Sequence, residues 1–123
     1  MRNTQSSRCA GSYRFLIAAS LAGLLAPGSS AFAADSSSRY PLAVKDGYFS
    51  PETVEVRAGE KFRLVVRNEG AEAEEFESHE LNREKIIAPG KTVEIIIGPL
   101  AAGSYRFFGE FHPETAKGQI VAK

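Results

Sequence analysis

Hydrophobic and polar residues alternate along most of the chain beyond residue 40, and this pattern predicts β-strands. In 61–68, Phe62, Leu64 and Val66 would share one face, because successive side chains of a strand point to opposite sides. Residues 53–57 show the same alternation. The remaining predicted strands are 42–44, 86–87, 92–97, 104–108 and 119–122.

Turn residues separate the predicted strands at short intervals. Asp46-Gly47, Pro89-Gly90 and Ala102-Gly103 are dipeptides that mark turns. Short strands divided by such turns are typical of an all-β sandwich or barrel. Segment 69–84 is rich in glutamate and alanine, but it has too few large apolar residues for the buried stripe of a helix, so we expect an extended strand followed by a loop.

The first 33 residues have the features of a cleaved signal peptide. Three arginines and no acidic residue precede an apolar run at 15–25, and Ala31-Phe32-Ala33 matches a small-residue cleavage pattern. A helix that spans a bilayer needs roughly 20 apolar residues, so this run is too short for a membrane anchor. We therefore expect cleavage after Ala33 and export of the remaining chain to the periplasm.

Cleavage would change the composition of the mature chain. It would leave 90 residues, enough for one domain, with 12 basic residues against 15 acidic ones. Cys9, the single cysteine, would leave with the signal peptide, so the mature chain would have neither a disulfide nor a thiolate ligand. The net negative charge disfavours nucleic acid and anionic membranes as partners. We expect a signal peptide at 1–33, a flexible leader at 34–40 and one domain at 41–123.

Both histidines of the chain lie in clusters of carboxylates. One cluster surrounds His79, and the other surrounds His112 and follows an aromatic predicted strand. Glu75 and Glu77 are two residues apart on a predicted strand, so they would project from one face. If the two strands are neighbours, carboxylates and an imidazole meet at one rim, and this donor set suits Cu(II), iron, manganese or zinc.

The same clusters have a plainer interpretation. Charged residues are mostly exposed, so acidic runs are equally compatible with an ordinary surface, and a histidine that precedes a proline, as His112 does, is often a capping or packing residue. The sequence contains no CxxC, HExxH, phosphate-binding glycine loop or nucleophile elbow. No nucleophile lies beside a base, so a binding protein is favoured over an enzyme.

Several segments resemble the cupredoxin family in their order and spacing. YFSPETVEV at 48–56 resembles the opening motif, APGKT at 88–92 the P-G-x-T turn, and GSYRF at 103–107 the G-x-Y-x-F strand. His112 and KGQIV at 117–121 resemble the final ligand loop and the closing strand. The resemblance covers nearly the whole mature domain, and it implies an all-β, cupredoxin-like Greek-key β-sandwich.

The chain departs from the blue-copper pattern at most of the ligand positions that the resemblance implies. The position of the copper-thiolate cysteine is Gly109, and the axial methionine would fall at Ala116. The first histidine would fall near Glu74 or Glu75, and only the final histidine is kept, as His112. Without a thiolate, a blue-copper electron-transfer site is excluded at this position.

Three segments are closer to the EfeO-type cupredoxin-like domains of periplasmic iron-uptake systems, which supply an iron permease. EFES at 75–78, LNREK at 81–85 and FGEFHP at 108–113 resemble the stand-alone members of that group. The resemblance implies a carboxylate-rich site for Cu(II) or iron. Carried over residue by residue, it gives as ligands Glu75, Glu77, Glu110 and His112, with Glu74 and His79 as lesser candidates.

The expected function is that of a periplasmic metal-binding protein of a ferrous-iron uptake system. Its expected partners are an inner-membrane iron permease and a periplasmic metal-binding protein, with no nucleic acid, and a homodimer is left open. Two alternatives remain on the residues alone: a metal-free interaction module that kept the sandwich and lost the site, and a copper-dependent component that acts like a ferroxidase.

Overall fold

The computed structural model describes Gly23 and residues 35–123, and the described residues form two β-sheets. The signal peptide predicted at 1–33 lies, except for Gly23, outside the described residues. The part of the chain that is described contains no helix long and apolar enough to cross a membrane. The strands are β1 Ser38–Lys45, β2 Tyr48–Ser50, β3 Thr53–Val56, β4 Phe62–Asn68, β5 Glu74–Ser78, β6 Arg83–Ile87, β7 Thr92–Ile97, β8 Gly103–Gly109 and β9 Lys117–Ala122.

The strands form a sandwich of two sheets, and the chain passes from one sheet to the other several times. One sheet has the order β2-β1-β4-β7, and the other has the order β3-β9-β8-β5-β6. β1 pairs with β4, and β3 with β9, in parallel, whereas the other pairs are antiparallel. The all-β sandwich predicted from the alternation is confirmed.

The core between the sheets follows the predicted faces. Phe62, Leu64 and Val66 of β4 are buried, and so are Val54 and Val56 of β3. Their polar neighbours on the same strands point away from the core or are partly exposed. Burial of the apolar face of each sheet is therefore what holds the two layers together.

Aromatic packing fixes the positions of β5 and β8, the two strands next to the candidate site. The ring of Phe107 on β8 lies 5.1 Å from those of Phe49 on β2 and Phe76 on β5, measured between centroids. Gly118 on β9 allows this arrangement, because a Cβ there would lie 2.4 Å from the Phe107 ring. The ends of β5 and β8 are thus anchored in the core, and the loops beyond them start from fixed positions.

The predicted turn at Asp46-Gly47 is confirmed as a two-residue hairpin. Val44 pairs with Phe49, and the φ angles of Asp46 and Gly47 are 50° and 77°. Two positive φ values in a two-residue loop match the twist of the flanking strands. Gly47 also approaches the loop after β8, since a Cβ there would lie 3.1 Å from the Cγ of His112.

The structure corrects the boundaries of two predicted segments. The expected leader at 34–40 is strand from Ser38 onward, where it pairs with β4, and Ser37 accepts a hydrogen bond from Arg63 (3.2 Å). β6 begins at Arg83, three residues before the predicted start at 86–87. β6 is an edge strand with four exposed positions, so it lacks the alternation of hydrophobic and polar residues by which a half-buried strand is recognised.

Candidate metal centre

A short loop between β8 and β9 places His112 at one end of the sandwich. The loop is closed by its own backbone: Gly109 N–H donates to the carbonyl of Ala116 (2.8 Å), and Ala116 N–H donates to that of His112 (2.9 Å). The N–H of His112 donates to the carbonyl of Gly109 (3.1 Å). These bonds hold the imidazole at a fixed distance from the end of β8.

Glu74, the first residue of β5, meets this imidazole from inside the protein. Its side chain is only 3% exposed, and its Oε2 lies 2.6 Å from Nδ1 of His112. Its Oε1 accepts hydrogen bonds from the N–H groups of Glu75 (3.1 Å) and Phe111 (3.0 Å). Burial of a carboxylate is costly unless donors surround it, and here three donors converge on the two oxygens.

The same contact changes the ionisation of the imidazole. The pKa of His112 is raised from its ordinary value of 6.5, chiefly by the hydrogen bond to Glu74, with further contributions from the charges of Glu74 and Glu72. Desolvation opposes this shift but is the smaller effect. The carboxylates therefore hold a proton on the ring to a higher pH than in an isolated histidine.

His112, Glu74 and Glu72 all line one solvent-accessible cavity. Nε2 of His112 lies 3.5 Å from Oε2 of Glu72, whose side chain is 81% exposed. The cavity is also lined by Asp46, Asn68 and Gly70. It offers an imidazole nitrogen and carboxylates, with no cysteine or methionine sulfur among its lining residues.

Asn68 holds the loop that carries Glu72 and leads into Glu74. Its buried amide donates to the carbonyls of Glu72 (2.7 Å) and Ile87 (2.9 Å), and its Oδ1 accepts from Gly70 N–H (2.9 Å). One side chain thus satisfies backbone groups on two segments, the loop before β5 and the end of β6. The turn that follows β4 is built around it.

The carboxyl group of Glu74 fills the space next to the backbone of Gly109. A Cβ at residue 109 would lie 2.7 Å from Cδ and Oε1 of Glu74 and 2.7 Å from Cβ of Ala116, which is itself fully buried. The carboxyl group therefore occupies the volume next to the backbone where a cysteine side chain would begin. The positions expected for thiolate and thioether ligands, 109 and 116, contain no sulfur, and a Cβ at residue 109 would meet Glu74 and Ala116.

A second group of carboxylates lies on the outer face of the five-stranded sheet. Glu75 and Glu77 project outward from β5, and Glu84 on β6 is the register partner of Glu77. Among the residues described, this is the group in which three ligand atoms all lie within 4.8 Å of one another. The pKa of Glu75 is raised, mainly by desolvation and then by the negative charges of Glu84 and Glu77.

His79 and Glu110 border this outer group. Nε2 of His79 lies 2.8 Å from Oε1 of Glu77, and its ring packs edge-on against Phe108 at 5.3 Å. The His79 side chain is 77% exposed. The backbone N–H of Glu110 donates to the carbonyl of Glu75 (2.9 Å), while its side chain is exposed.

The structure therefore does not bring Glu75, Glu77, Glu110 and His112 to one rim, and that expectation is corrected. Adjacent residues of β5 face opposite ways, so His112 meets Glu74 on the inner side while Glu75 and Glu77 face outward. The inward face of Glu74 was readable from the sequence, because it lies two residues before Phe76, a core residue.

Two acidic residues outside the six predicted candidates take part in these groups. Glu72 belongs to the acidic cluster noted in the sequence and lies across the cavity from His112. Glu84 reaches Glu77 only through the pairing of β5 with β6. No local pattern marks that pairing, because β6 is an exposed edge strand.

The comparison with protein families agrees with this architecture. Residues 14–122 match the family model described as the cupredoxin-like domain. The chain belongs to the cupredoxin-like domain family. The cupredoxin-like sandwich expected from the sequence is thus confirmed. Residues 109 and 116, which the resemblance aligns with the sulfur ligands of the blue-copper pattern, are glycine and alanine.

Solved structures similar to this cupredoxin-like domain come from several copper proteins. Auracyanin of Roseiflexus castenholzii has 13% identity and a TM-score of 0.57, over 71% of this chain and 98% of that one. A purple cupredoxin of Nitrosopumilus maritimus has 16% identity and a TM-score of 0.52, over 70% and 99%. The metal-binding domain of the Cu(I)-exporting ATPase CopA of Streptococcus pneumoniae D39, solved with Cu(I), has 14% identity and a TM-score of 0.61, over 69% and 84%. At these identities the likeness shows the fold alone.

A curated relative is closer in sequence. An uncharacterized protein of Rickettsia prowazekii (strain Madrid E) is 46% identical over 80 residues, which are 65% of this chain. The match spans 64% of that relative's length.

Proposed function

We propose that this cupredoxin-like domain binds a divalent metal ion through nitrogen and oxygen donors at the end of the sandwich that carries His112. One observation carries the proposal: the imidazole lines an open cavity between two carboxylates, the buried Glu74 next to Nδ1 and the exposed Glu72 next to Nε2. Imidazole combined with carboxylate is a donor set that suits Cu(II), iron and zinc.

The chemistry of the donors favours Cu(II) over Cu(I). Soft thiolate and thioether ligands select Cu(I), whereas the cavity contains none among its lining residues. Several structures with this fold are copper proteins by their descriptions, which supports copper as the metal to test first. His112 would hold the ion with Glu72, and the bound ion would supply a positive charge and open coordination positions at the cavity.

For the biological setting, we propose a periplasmic role in ferrous-iron uptake. The support is the resemblance of 75–78, 81–85 and 108–113 to EfeO-type domains, together with the signal-like pattern at 1–33. In that setting the domain would deliver iron, or an electron through copper, to an inner-membrane permease. Cu(II) outcompetes Fe(II) at most nitrogen and oxygen sites, so affinity alone does not identify the physiological metal.

The outer carboxylates are a second candidate position for the same metal. Glu75, Glu77 and Glu84 offer three oxygens close together, and His79 lies within 2.8 Å of Glu77. This set contains Glu75, Glu77 and His79, three of the six ligand candidates that the EfeO-type resemblance gives. Its donors are mostly carboxylate oxygens, so it is harder in character than the His112 position, although Cu(II) still outcompetes Fe(II) at such a site.

Metal titration of matched variants distinguishes these positions. Isothermal titration of the purified protein with Cu(II), and with Fe(II) under anaerobic conditions, should give one site that His112→Ala removes and Glu77→Gln retains. The reverse result would move the site to the outer face of the sheet. An absence of binding in the micromolar range would refute the proposal and favour the metal-free interaction module.

A further inference from the structure

We propose that two copies of this domain associate through the outer face of the five-stranded sheet, with the cationic half of each copy against the anionic half of the other. The proposal does not depend on a metal site at His112. The cavity there has no residue of β3, β6, β8 or β9 among its lining residues, so the association would leave it open.

Strand pairing places four outward-facing residues in one row across this sheet. Glu77 on β5 is the register partner of Glu84 on β6 on one side and of Phe108 on β8 on the other. Phe108 in turn pairs with Lys117 on β9. Directly opposite residues of paired strands project from the same side of a sheet. The row therefore runs from two carboxylates through an aromatic ring to an ammonium group.

The half of the face formed by β8, β9 and β3 carries positive charge that has no partner. Arg106, two residues before Phe108, projects from the same side and lines a shallow depression together with Lys117. Every other arginine that the structure describes has its guanidinium in a hydrogen bond or an ion pair. No carboxylate of the described chain lies within ion-pair distance of Arg106 or Lys117, and Glu55, on the outer side of β3, is paired with Lys123 (2.8 Å).

The half formed by β5 and β6 carries the opposite charge. One oxygen from each of Glu75, Glu77 and Glu84 lies within 4.8 Å of the other two. In the described chain, His79 is the one basic side chain in ion-pair contact with them, 2.8 Å from Glu77. Like charges at neighbouring positions of a sheet repel one another. Each half of the face thus lacks the counter-charge that the other half of a second copy would supply.

The order of the strands determines how a second copy can lie on this face. The order is β3-β9-β8-β5-β6, so the charge changes sign across the strands and not along them. A two-fold axis parallel to the strands, above β8, turns the cationic half of one copy onto the anionic half of the other. A two-fold axis across the strands would bring like charges together. The favoured arrangement is isologous, so it closes as a dimer and does not grow into a filament.

Apolar side chains at the middle and the edge of the face add contact area. Phe108 would meet the Phe108 of the other copy near the axis, and Ile86 on β6 is 57% exposed. Five strands about 4.8 Å apart, each of about six residues at 3.4 Å, give a face of roughly 400 Å² per copy. This is about half the area per partner of a standard interface, so we expect a weak, salt-sensitive dimer.

Sedimentation equilibrium of the purified protein, with a chelator present to remove metal ions, measures the association. At low ionic strength it should show a dimer with a dissociation constant below about 1 mM. In about 1 M NaCl, where the screening length is about 3 Å, the protein should be monomeric. A protein that stays monomeric at about 1 mM in low salt, or a dimer that persists in 1 M NaCl, would overturn the proposal.

Two charge-reversal variants test which surfaces meet. Arg106→Glu with Lys117→Glu makes the face negative throughout, and Glu75→Lys with Glu77→Lys makes it positive. Each variant should be monomeric by itself, because both of its contacts become repulsive. An equimolar mixture should restore a dimer, and native mass spectrometry should show that it contains one copy of each variant. This rescue also shows that both variants are folded.

The matched control reverses two charges on the other sheet. Lys45→Glu with Arg67→Glu changes the net charge as much as the first variant does, but on the outer sides of β1 and β4, so it should dimerise like the unmodified protein. Variants that remain dimeric alone, or a mixture that stays monomeric, would refute contact through this face. A dimer that forms only with added metal would show that an ion bridges the carboxylates, and would refute direct pairing with the cations. Metal binding at His112 is measured separately, so either proposal can fail while the other stands.

Discussion

Replacement of Gly109 by alanine should destabilise the protein, although this change is usually favourable where the backbone permits it. The φ angle of Gly109 lies outside the left-handed region, so alanine adds no backbone strain. The new methyl group, however, would lie 2.7 Å from Cδ and Oε1 of Glu74 and 2.7 Å from Cβ of Ala116. Both neighbours are buried, so neither moves aside without disturbing the core or the His112 contact.

The size of the effect follows from two opposing contributions. Overpacking of a well-packed interior costs about 1–3 kcal/mol. Loss of conformational freedom in the unfolded chain returns about 0.4–1 kcal/mol on a change from glycine to alanine. From the centres of these two ranges, the free energy of unfolding should fall by about 1.3 kcal/mol, and the Tm of a domain of this size by roughly 5–10 °C.

Urea unfolding monitored by tyrosine fluorescence or far-UV circular dichroism would measure this change. Ala116→Gly removes one of the two crowded neighbours, so the double variant should recover part of the loss, and a double-mutant cycle should give a coupling of about 0.5–3 kcal/mol. If Gly109→Ala is as stable as the unmodified protein, then Glu74 does not fill the space next to residue 109. If the two changes are additive, then Cβ of Ala116 does not crowd that space.

Further predictions concern pH and the loop before β5. The pKa of His112 is raised in the folded state, chiefly by Glu74. Their ion pair therefore stabilises the fold fully below about pH 6.5 and loses this effect as pH rises through the higher folded-state pKa. His112→Gln should cost more stability at pH 5.5 than at pH 9. The pKa of Asp35 is lowered from 3.8 to about 2, chiefly by its hydrogen bond with Arg63. The effect of Asp35→Asn should therefore be present above pH 4 and vanish as pH falls through 2. Asn68→Ala should cost about 1–3 kcal/mol for each buried group left unsatisfied and weaken metal binding, because Glu72 loses its anchor.

Each of these predictions has a result that contradicts it. A His112→Gln effect that grows with pH would show that the imidazole is not stabilised in its charged form. An Asp35→Asn effect that persists at pH 1.5 would exclude its contact with Arg63 as the cause. Asn68→Ala with unchanged stability but reduced metal affinity would show that the loop, and not the core, depends on the amide. The matched control is Arg67→Ala, because Arg67 lies on the exposed face of β4.

Local patterns predicted most of the strands for a clear physical reason. Where one face of a strand is buried, as at Phe62, Leu64 and Val66, the alternation of side chains is imposed by the core and is visible in the sequence. The turn at Asp46-Gly47 was equally predictable, because few residues adopt two successive positive φ angles. β6 was only partly predicted, since an exposed edge strand has no buried face to impose a pattern.

The candidate site was predicted in its residues more than in its arrangement. Glu74 and His112 were both candidates, but the predicted partners of His112 were Glu75 and Glu77, which lie on the other side of β5. Glu84 of the outer group was not among the predicted candidates, because only antiparallel pairing brings it to Glu77. Contacts of this kind depend on which strands become neighbours, and that is a property of the whole sheet.

The sequence by itself determined the all-β architecture and the loss of the blue-copper ligands, because strand faces, turns and the identity of residues 109 and 116 are local properties. Only the tertiary structure decided that Glu74 enters the space beside Gly109 and meets His112, 38 residues further along the chain. The reason is that these contacts arise where β5 and β8 lie side by side, and the packing of the core around Phe76 and Phe107 sets that position.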